Sequence, residues 1–228
     1  MLGIVIAMEK EFTLLEKEFL LGKKEVIGMI EFYVGTINNK KVVVGFSGVG
    51  KVNAAICTQL LITHYQVDTI LNYGIAGSLS EELNIGDILI ATAIHQHDFD
   101  TTEFGEPKGW VEKLETDKLE CSTDIVKKLF MIQLENATIV LGKIASGDKF
   151  ISKVKERNTL RREFLTVGCD MESGAIAQVC LQNKIPFAVV KSISDNLEQN
   201  CKEDYVNNLE FAIEKVNQFM VKYIKENL

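Results

Sequence analysis

Proline is scarce: Pro107 and Pro186 are the only two in 228 residues. With no proline-rich linker, low-complexity tract or internal repeat, nothing divides the chain, and a single domain over residues 1–228 is expected. Basic residues are outnumbered, 25 Lys and Arg against 32 Asp and Glu, and the formal net charge is -7 with a pI near 5.2. Such a chain lacks the cation clusters that displace counterions from nucleic acid or anionic lipid. Small-molecule partners are expected, and neither nucleic acid nor membrane is. Long hydrophobic runs are missing too. The apolar opening at 2–7 has no basic leader and meets Glu9 and Glu11 too early for a signal peptide or a spanning helix. The five cysteines, Cys57, Cys121, Cys169, Cys180 and Cys201, are scattered without metal-type spacing, which fits reduced thiols and a cytoplasmic location. His95 and His97 would share one face of a strand, but catalytic zinc normally takes three protein ligands and no third is evident. No metal and no other cofactor is expected.

What the chain does have is 46% hydrophobic content, enough for one substantial core. Apolar runs with β-branched residues recur at 2–7, 41–46, 67–72, 87–93, 137–144 and 185–193 and read as buried strands. Helix-like segments at 52–65, 123–134 and 171–183 lie between several of them. This alternation predicts an α/β fold, three α/β/α layers about a central sheet. The segment 25–36, followed by Asn38-Asn39-Lys40 and another strand, suggests an N-terminal hairpin that makes the sheet mixed. Near the end, Val206, Leu209, Ile213, Val216, Met220 and Tyr223 recur every three or four residues and predict a core-packing helix. The longest stretch without periodicity is 98–116, where Phe104 and Trp110 sit among charges and glycines. Loops of this kind commonly serve as lids or interfaces.

Gly45-Phe46-Ser47-Gly48-Val49-Gly50-Lys51-Val52 comes close to the phosphate-cradling motif of nucleoside triphosphatases, between a strand and a helix. It fails at Val52, where that motif needs a hydroxyl to ligate magnesium. What remains is a Gly-rich turn whose backbone can approach a ligand or a neighbouring strand. Asn72-Tyr73-Gly74-Ile75-Ala76-Gly77-Ser78 is a second. Two such turns suggest a ligand lying across the sheet edge.

Lys191-Ser192-Ile193-Ser194-Asp195-Asn196 follows the apolar run 185–190 and delivers a cation, two hydroxyls and a carboxylate to a strand end. Asp195 is therefore a candidate acid, although an Asp after a strand often only caps the next element. Glu11, after 2–8, and Glu172, after an apolar strand read at 164–169, stand in the same relation. Separate strands would bring these carboxylates to one pocket, where one protonated and another ionised can divide acid and base work. That division suits cleavage of a glycosidic bond.

Met8-Glu9-Lys10-Glu11, Ser47-Gly48-Val49-Gly50-Lys51, Asn72-Tyr73-Gly74-Ile75-Ala76-Gly77, Ser146-Gly147-Asp148-Lys149-Phe150-Ile151, Asp170-Met171-Glu172 and Ser194-Asp195 occur in an order and at a spacing that resemble the 5'-methylthioadenosine/S-adenosylhomocysteine nucleosidases nearly end to end. The resemblance implies a nucleoside phosphorylase-like fold and a homodimer that hydrolyses the adenine N-glycosidic bond. It implies Asp195 as the acid that protonates adenine N7, Glu11 as the base that activates water, and Glu172 as the holder of the ribose hydroxyls. It further implies Phe150 stacked on adenine, the Ile151 backbone on the base edge, and Met8, Val49, Met171 and Tyr205 around the sugar and its alkylthio tail. By sequence alone, a plain core aromatic is the simpler reading of Phe150. By the same analogy Phe104 enters the partner's pocket, and Ser194 stands beside the acid.

Three positions depart from the family pattern: Lys191 stands where Arg is usual, Ile75 where Ser is common, and Asp170 where Glu is common. Lys keeps the charge but loses the planar two-pronged donor. A phosphorylase of the same fold is the nearest rival. Glu9 and Glu11 would repel its phosphate, and no arginine precedes Arg157. A non-catalytic nucleoside-binding protein on this scaffold is a third possibility, opposed by the presence of both acid and base.

Overall fold

Val, Ile and Leu fill the strand segments so densely that β1 (Leu2–Ile6) is buried at all five positions. A strand flanked on both sides and covered on both faces reads as a continuous apolar run rather than an alternation. In the computed structural model, which describes residues 1–196 and 201–227 and the side chains of all these except 201 and 202, the other strands are β2 (Leu20–Ile27), β3 (Ile30–Ile37), β4 (Lys40–Phe46), β5 (Thr69–Ser78), β6 (Ile88–Gln96), β7 (Leu119–Glu120), β8 (Ile139–Ser146), β9 (Gly168–Asp170) and β10 (Phe187–Asp195). The helices are α1 (Leu15–Glu18), α2 (Lys51–Thr63), α3 (Thr123–Phe130), α4 (Val154–Phe164), α5 (Ser173–Gln182) and α6 (Cys201–Asn227).

The sheet is mixed, as the sequence implies. β4, β1, β5 and β10 run parallel, while β2, β3 and β4 form an antiparallel meander. Asn38 and Asn39, both at positive φ, make the turn into β4. The run 25–36 is not one strand, however. It reverses at Gly28, whose φ of 64° suits glycine, and pairs with itself as β2 and β3. The apolar strand read at 164–169 also needs correction. Phe164 closes α4, and only Gly168–Asp170 pair as strand. Leu160 and Phe164, four residues apart, share a buried helix face with Arg157.

β5 pairs with β10, β10 with β6, β6 with β8, β8 with β9, and β9 with β5, so part of the sheet closes into a ring. Helices α2 and α5 pack together against the sheet, and α6 lies over β5 and β10 and touches α1 and α3. The unit is a three-layer α/β/α sandwich. The irregular stretch 98–116 holds two short 3-10 turns, Thr102–Phe104 and Glu112–Leu114.

The long α6 also anchors the chain after β1. Asn217, fully buried, donates from Nδ2 to the Glu11 carbonyl at 2.8 Å and accepts the Leu15 N–H at 3.4 Å. Replacing it by alanine orphans both backbone groups, so Asn217→Ala is expected to cost about 1–3 kcal/mol, seen as a lower urea midpoint at unchanged m-value.

Candidate active site

Strand ends and the loops after them converge on one cleft of about 100 Å³. From the end of β1 come Ala7 and Met8 and, on a 3-10 turn, Glu11. The loop after β4 gives Val49, and β5 gives Ile75, Ala76 and Gly77. Lys149, Phe150 and Ile151 follow β8, Cys169 and Asp170 end β9, and Met171 and Glu172 lead into α5. Ser194 and Asp195 end β10, Tyr205 comes from α6, and Arg157 from α4.

Each carboxylate is held by its element. The Met8 N–H donates to Glu11 Oε2 at 2.9 Å, and the sheet beside it must be glycine. A Cβ on Gly74 would lie 2.6 Å from Glu11 Oε1. Glu172 immediately precedes α5 and accepts the Gly50 N–H at 3.0 Å. Asp170 accepts the Ser173 N–H at 3.1 Å and the Ser173 hydroxyl at 2.7 Å, so both acids sit at the positive end of a helix dipole. At the end of β10 the pairing with β5 shifts register between Ile193 and Asp195, an irregularity of the kind that re-aims side chains next to functional sites.

Burial governs the electrostatics. Glu11 is pushed up from 4.5 to about 7, chiefly by burial. Lys191 and the Met8 N–H oppose the rise, and Glu172 adds to it. Glu172 is raised as well, first by burial. Burial works the other way on Lys191, but Asp170, Glu172 and Glu11 around it outweigh burial and lift its pKa above the ordinary lysine value.

Most residues expected at the site line the cleft together: Met8, Glu11, Val49, Ile75, Phe150, Ile151, Asp170, Met171, Glu172, Ser194, Asp195 and Tyr205. Two do not. Lys191 is buried beneath the wall, its Nζ 2.9 Å from Asp170 Oδ2, so its charge is spent on the acids rather than offered directly to the cleft. Phe104, expected in a partner's pocket rather than in that of its own chain, is 86% exposed and does not line this cleft. The reading of Phe150 as a core aromatic is not what is found. It is 42% exposed and meets Tyr205 edge to face, with ring centroids 5.5 Å apart. The Gly-rich turn after β4 carries no free anion cradle, since its Gly50 and Lys51 N–H groups are taken by Glu172 and by Asp148 Oδ1. No group of three His, Cys, Asp or Glu among the described residues is placed to hold a metal ion.

Arg157 was missed. It is 1% exposed and paired with Asp195. The signal was present as an arginine on the apolar stripe shared with Leu160 and Phe164, but a stripe does not say what the guanidinium meets.

A family model for the phosphorylase superfamily matches residues 1–226. A 5'-methylthioadenosine/S-adenosylhomocysteine nucleosidase of Staphylococcus aureus is 39% identical over 197 residues, 86% of each chain. The chain belongs to this nucleosidase family. Solved relatives superpose over nearly the whole length. The Helicobacter pylori nucleosidase bound to butyl-thio-DADMe-Immucillin-A has a TM-score of 0.93 at 31% identity, covering 99% of this chain and 97% of the other. The Colwellia psychrerythraea nucleosidase with adenine has a TM-score of 0.93 at 33% identity, covering 99% and 94%. A futalosine hydrolase of Helicobacter pylori matches at 0.93 and 30% identity, covering 99% and 97%. Among the described residues of this nucleosidase family member, no helix is long and apolar enough to cross a membrane.

A buried acid with a raised pKa binds its proton more tightly in the folded chain than in the unfolded one. Its contribution therefore favours the fold at low pH and is lost as pH rises from about 4.5 through 7. Glu11→Gln removes this dependence. Melting curves from pH 4.5 to 8 are expected to show the variant gaining on the native chain by up to about 3 kcal/mol as pH rises.

Proposed function

We propose that this protein acts as a single-domain cytoplasmic enzyme that hydrolyses the N-glycosidic bond of 5'-methylthioadenosine and S-adenosylhomocysteine, releasing adenine and the 5-thioribose product. The observation that carries the reading is the gathering of Glu11, Glu172 and Asp195 in one cleft whose lining includes the half-exposed Phe150 and Tyr205. The Staphylococcus aureus relative is named for these two substrates, and the Colwellia psychrerythraea relative holds adenine.

In this mechanism Asp195 gives a proton to adenine N7, so the base departs as a neutral molecule while the ribosyl ring gains oxocarbenium character. Glu11 takes a proton from the attacking water, and the water oxygen bonds to the anomeric carbon as the bond from that carbon to adenine breaks. A base with a pKa near 7 is well matched to that task, because a large share of it is ionised at neutral pH while it stays basic. Glu172 holds the ribose hydroxyls, and its charge favours the cationic sugar. Phe150 stacks on the purine, the Ile151 backbone meets its edge, and Met8, Val49, Ile75 and Met171 surround the sugar and the thioether. Asp170 and Lys191 support this set from below as an ion pair. Water rather than phosphate is the nucleophile. Glu172 and Asp148 already occupy the turn N–H groups that would attract an anion, and Glu11 would repel one.

The native assembly in this reading is a homodimer. Val49, Val52, Ile56, Phe99 and Phe104 are all large apolar residues left exposed. Val49 also lines the cleft, so a second copy covering this surface would close the site and supply Phe104 to it.

Two outcomes check the proposal. Adenine and methylthioribose are expected from methylthioadenosine in phosphate-free, metal-free buffer, and Asp195→Asn is expected to cut kcat by on the order of 1,000-fold at little-changed KM. A requirement for phosphate, or near-normal turnover by the variant, would overturn it. Sedimentation analysis is expected to give a dimer, with Phe104→Ala raising KM without altering the fold. A fully active monomer would refute the shared site.

A further inference from the structure

A buried arginine normally spends its donors on several carbonyls or on one carboxylate. Arg157 does both. Its Nε donates to the Ile151 carbonyl at 2.8 Å, its Nη1 to the Ser78 carbonyl at 3.0 Å and the Asn196 carbonyl at 2.7 Å, and its Nη2 to Asp195 Oδ2. One rigid plane thus ties the end of β5, the segment just past β10 and the start of the segment after Phe150. Gly77 makes room for it, since a Cβ there would lie 3.0 Å from both Arg157 Nη2 and Asp195 Oδ2.

We propose that Arg157 is the positioning residue for leaving-group protonation: it fixes Asp195 through Oδ2 and so assigns the transferable proton to Oδ1. The inference rests on the hydrolase reading above. A guanidinium has no lone pair to accept with and stays charged, so the oxygen it binds is the one that carries no proton. The other oxygen, Oδ1, lies 2.6 Å from the Ser194 hydroxyl, which is also 3.3 Å from the Ala76 carbonyl. Before transfer the Oδ1–H bond is intact, and the serine hydroxyl donates to Ala76. During transfer the Oδ1–H bond breaks, an N7–H bond forms on adenine, and the electron pair stays on Oδ1. The serine hydroxyl then turns to donate to Oδ1, and Arg157 balances the new carboxylate charge. The same guanidinium holds the Ile151 carbonyl, so the distance between the proton donor and the backbone at the base edge is set by one side chain.

The test compares two leaving groups. Adenine in methylthioadenosine needs protonation, whereas 4-nitrophenolate from the 4-nitrophenyl 5-methylthioriboside leaves unprotonated. Arg157→Lys keeps the charge but cannot span the same acceptors. It is expected to lower kcat on methylthioadenosine by on the order of 100-fold while changing the aryl riboside rate by less than about threefold. Asp195→Asn should show the same split, and adding Arg157→Lys to it should cost little more. Equal losses on both substrates, a loss confined to KM, or an unchanged rate on methylthioadenosine would overturn the assignment. If Arg157→Ala folds, millimolar guanidinium is expected to restore part of its turnover on methylthioadenosine only. Native enzyme that cleaved neither substrate would sink the hydrolase reading itself, an outcome distinct from failure of the split.

Discussion

The three residues of β9 carry the constraint on which the site depends. Gly168–Asp170 pair parallel with β8 on one side and antiparallel with β5 on the other. Without that bridge, β8 would end at the far side of an open sheet, and the segment from Ser146 to Ile151 would lie away from β5 and β10. With it, the ring closes. Asp170, Met171 and Glu172 arrive beside the ends of β1 and β5, and Phe150 and Ile151 arrive beside Asp195. Gly168 belongs to this geometry. A Cβ there would lie 2.6 Å from Leu89 Cδ2, in the narrow interior that the ring leaves.

Closing the ring gathers charge. Glu11, Asp170, Glu172 and Asp195 are all buried, against the buried cations Lys191 and Arg157. Desolvation in such a place favours the neutral form of a carboxylic acid, and neighbouring groups decide how far. The chain answers differently for each. Asp170 has Lys191 and the first turn of α5, Asp195 has Arg157 and Ser194, and Glu172 has the Gly50 N–H. For Glu11, burial outweighs Lys191 and the Met8 and Ile75 N–H groups and raises it to about 7, and Glu172 is raised as well, first by burial. Unequal support of similar groups is what lets them take different chemical parts.

The departures from the family pattern at Lys191 and Asp170 read differently once both are placed. The two departures meet each other, Lys191 Nζ lying 2.9 Å from Asp170 Oδ2. Ile75 lines the cleft, but the hydroxyl it lacks is not missing from the acid, because Ser194 stands 2.6 Å from Asp195.

Much of this was legible in the chain. Buried strands announce themselves as unbroken runs of Val, Ile and Leu, and the turn at Asn38-Asn39 by residues that tolerate positive φ. The carboxylates Glu11, Glu172 and Asp195 were recognisable because each follows or closes a strand within a recurrent motif. These are local properties, set by backbone sterics and apolar periodicity over a few residues. The turn at Gly28, the helical ending at Phe164, the ring through β9 and the pairing of Arg157 with Asp195 are of another kind. Each depends on which distant segment lies opposite, and 38 residues separate Arg157 from Asp195. No spacing rule encodes that partner. Only the packed sheet, which leaves the guanidinium one carboxylate and three carbonyls to satisfy, decides it.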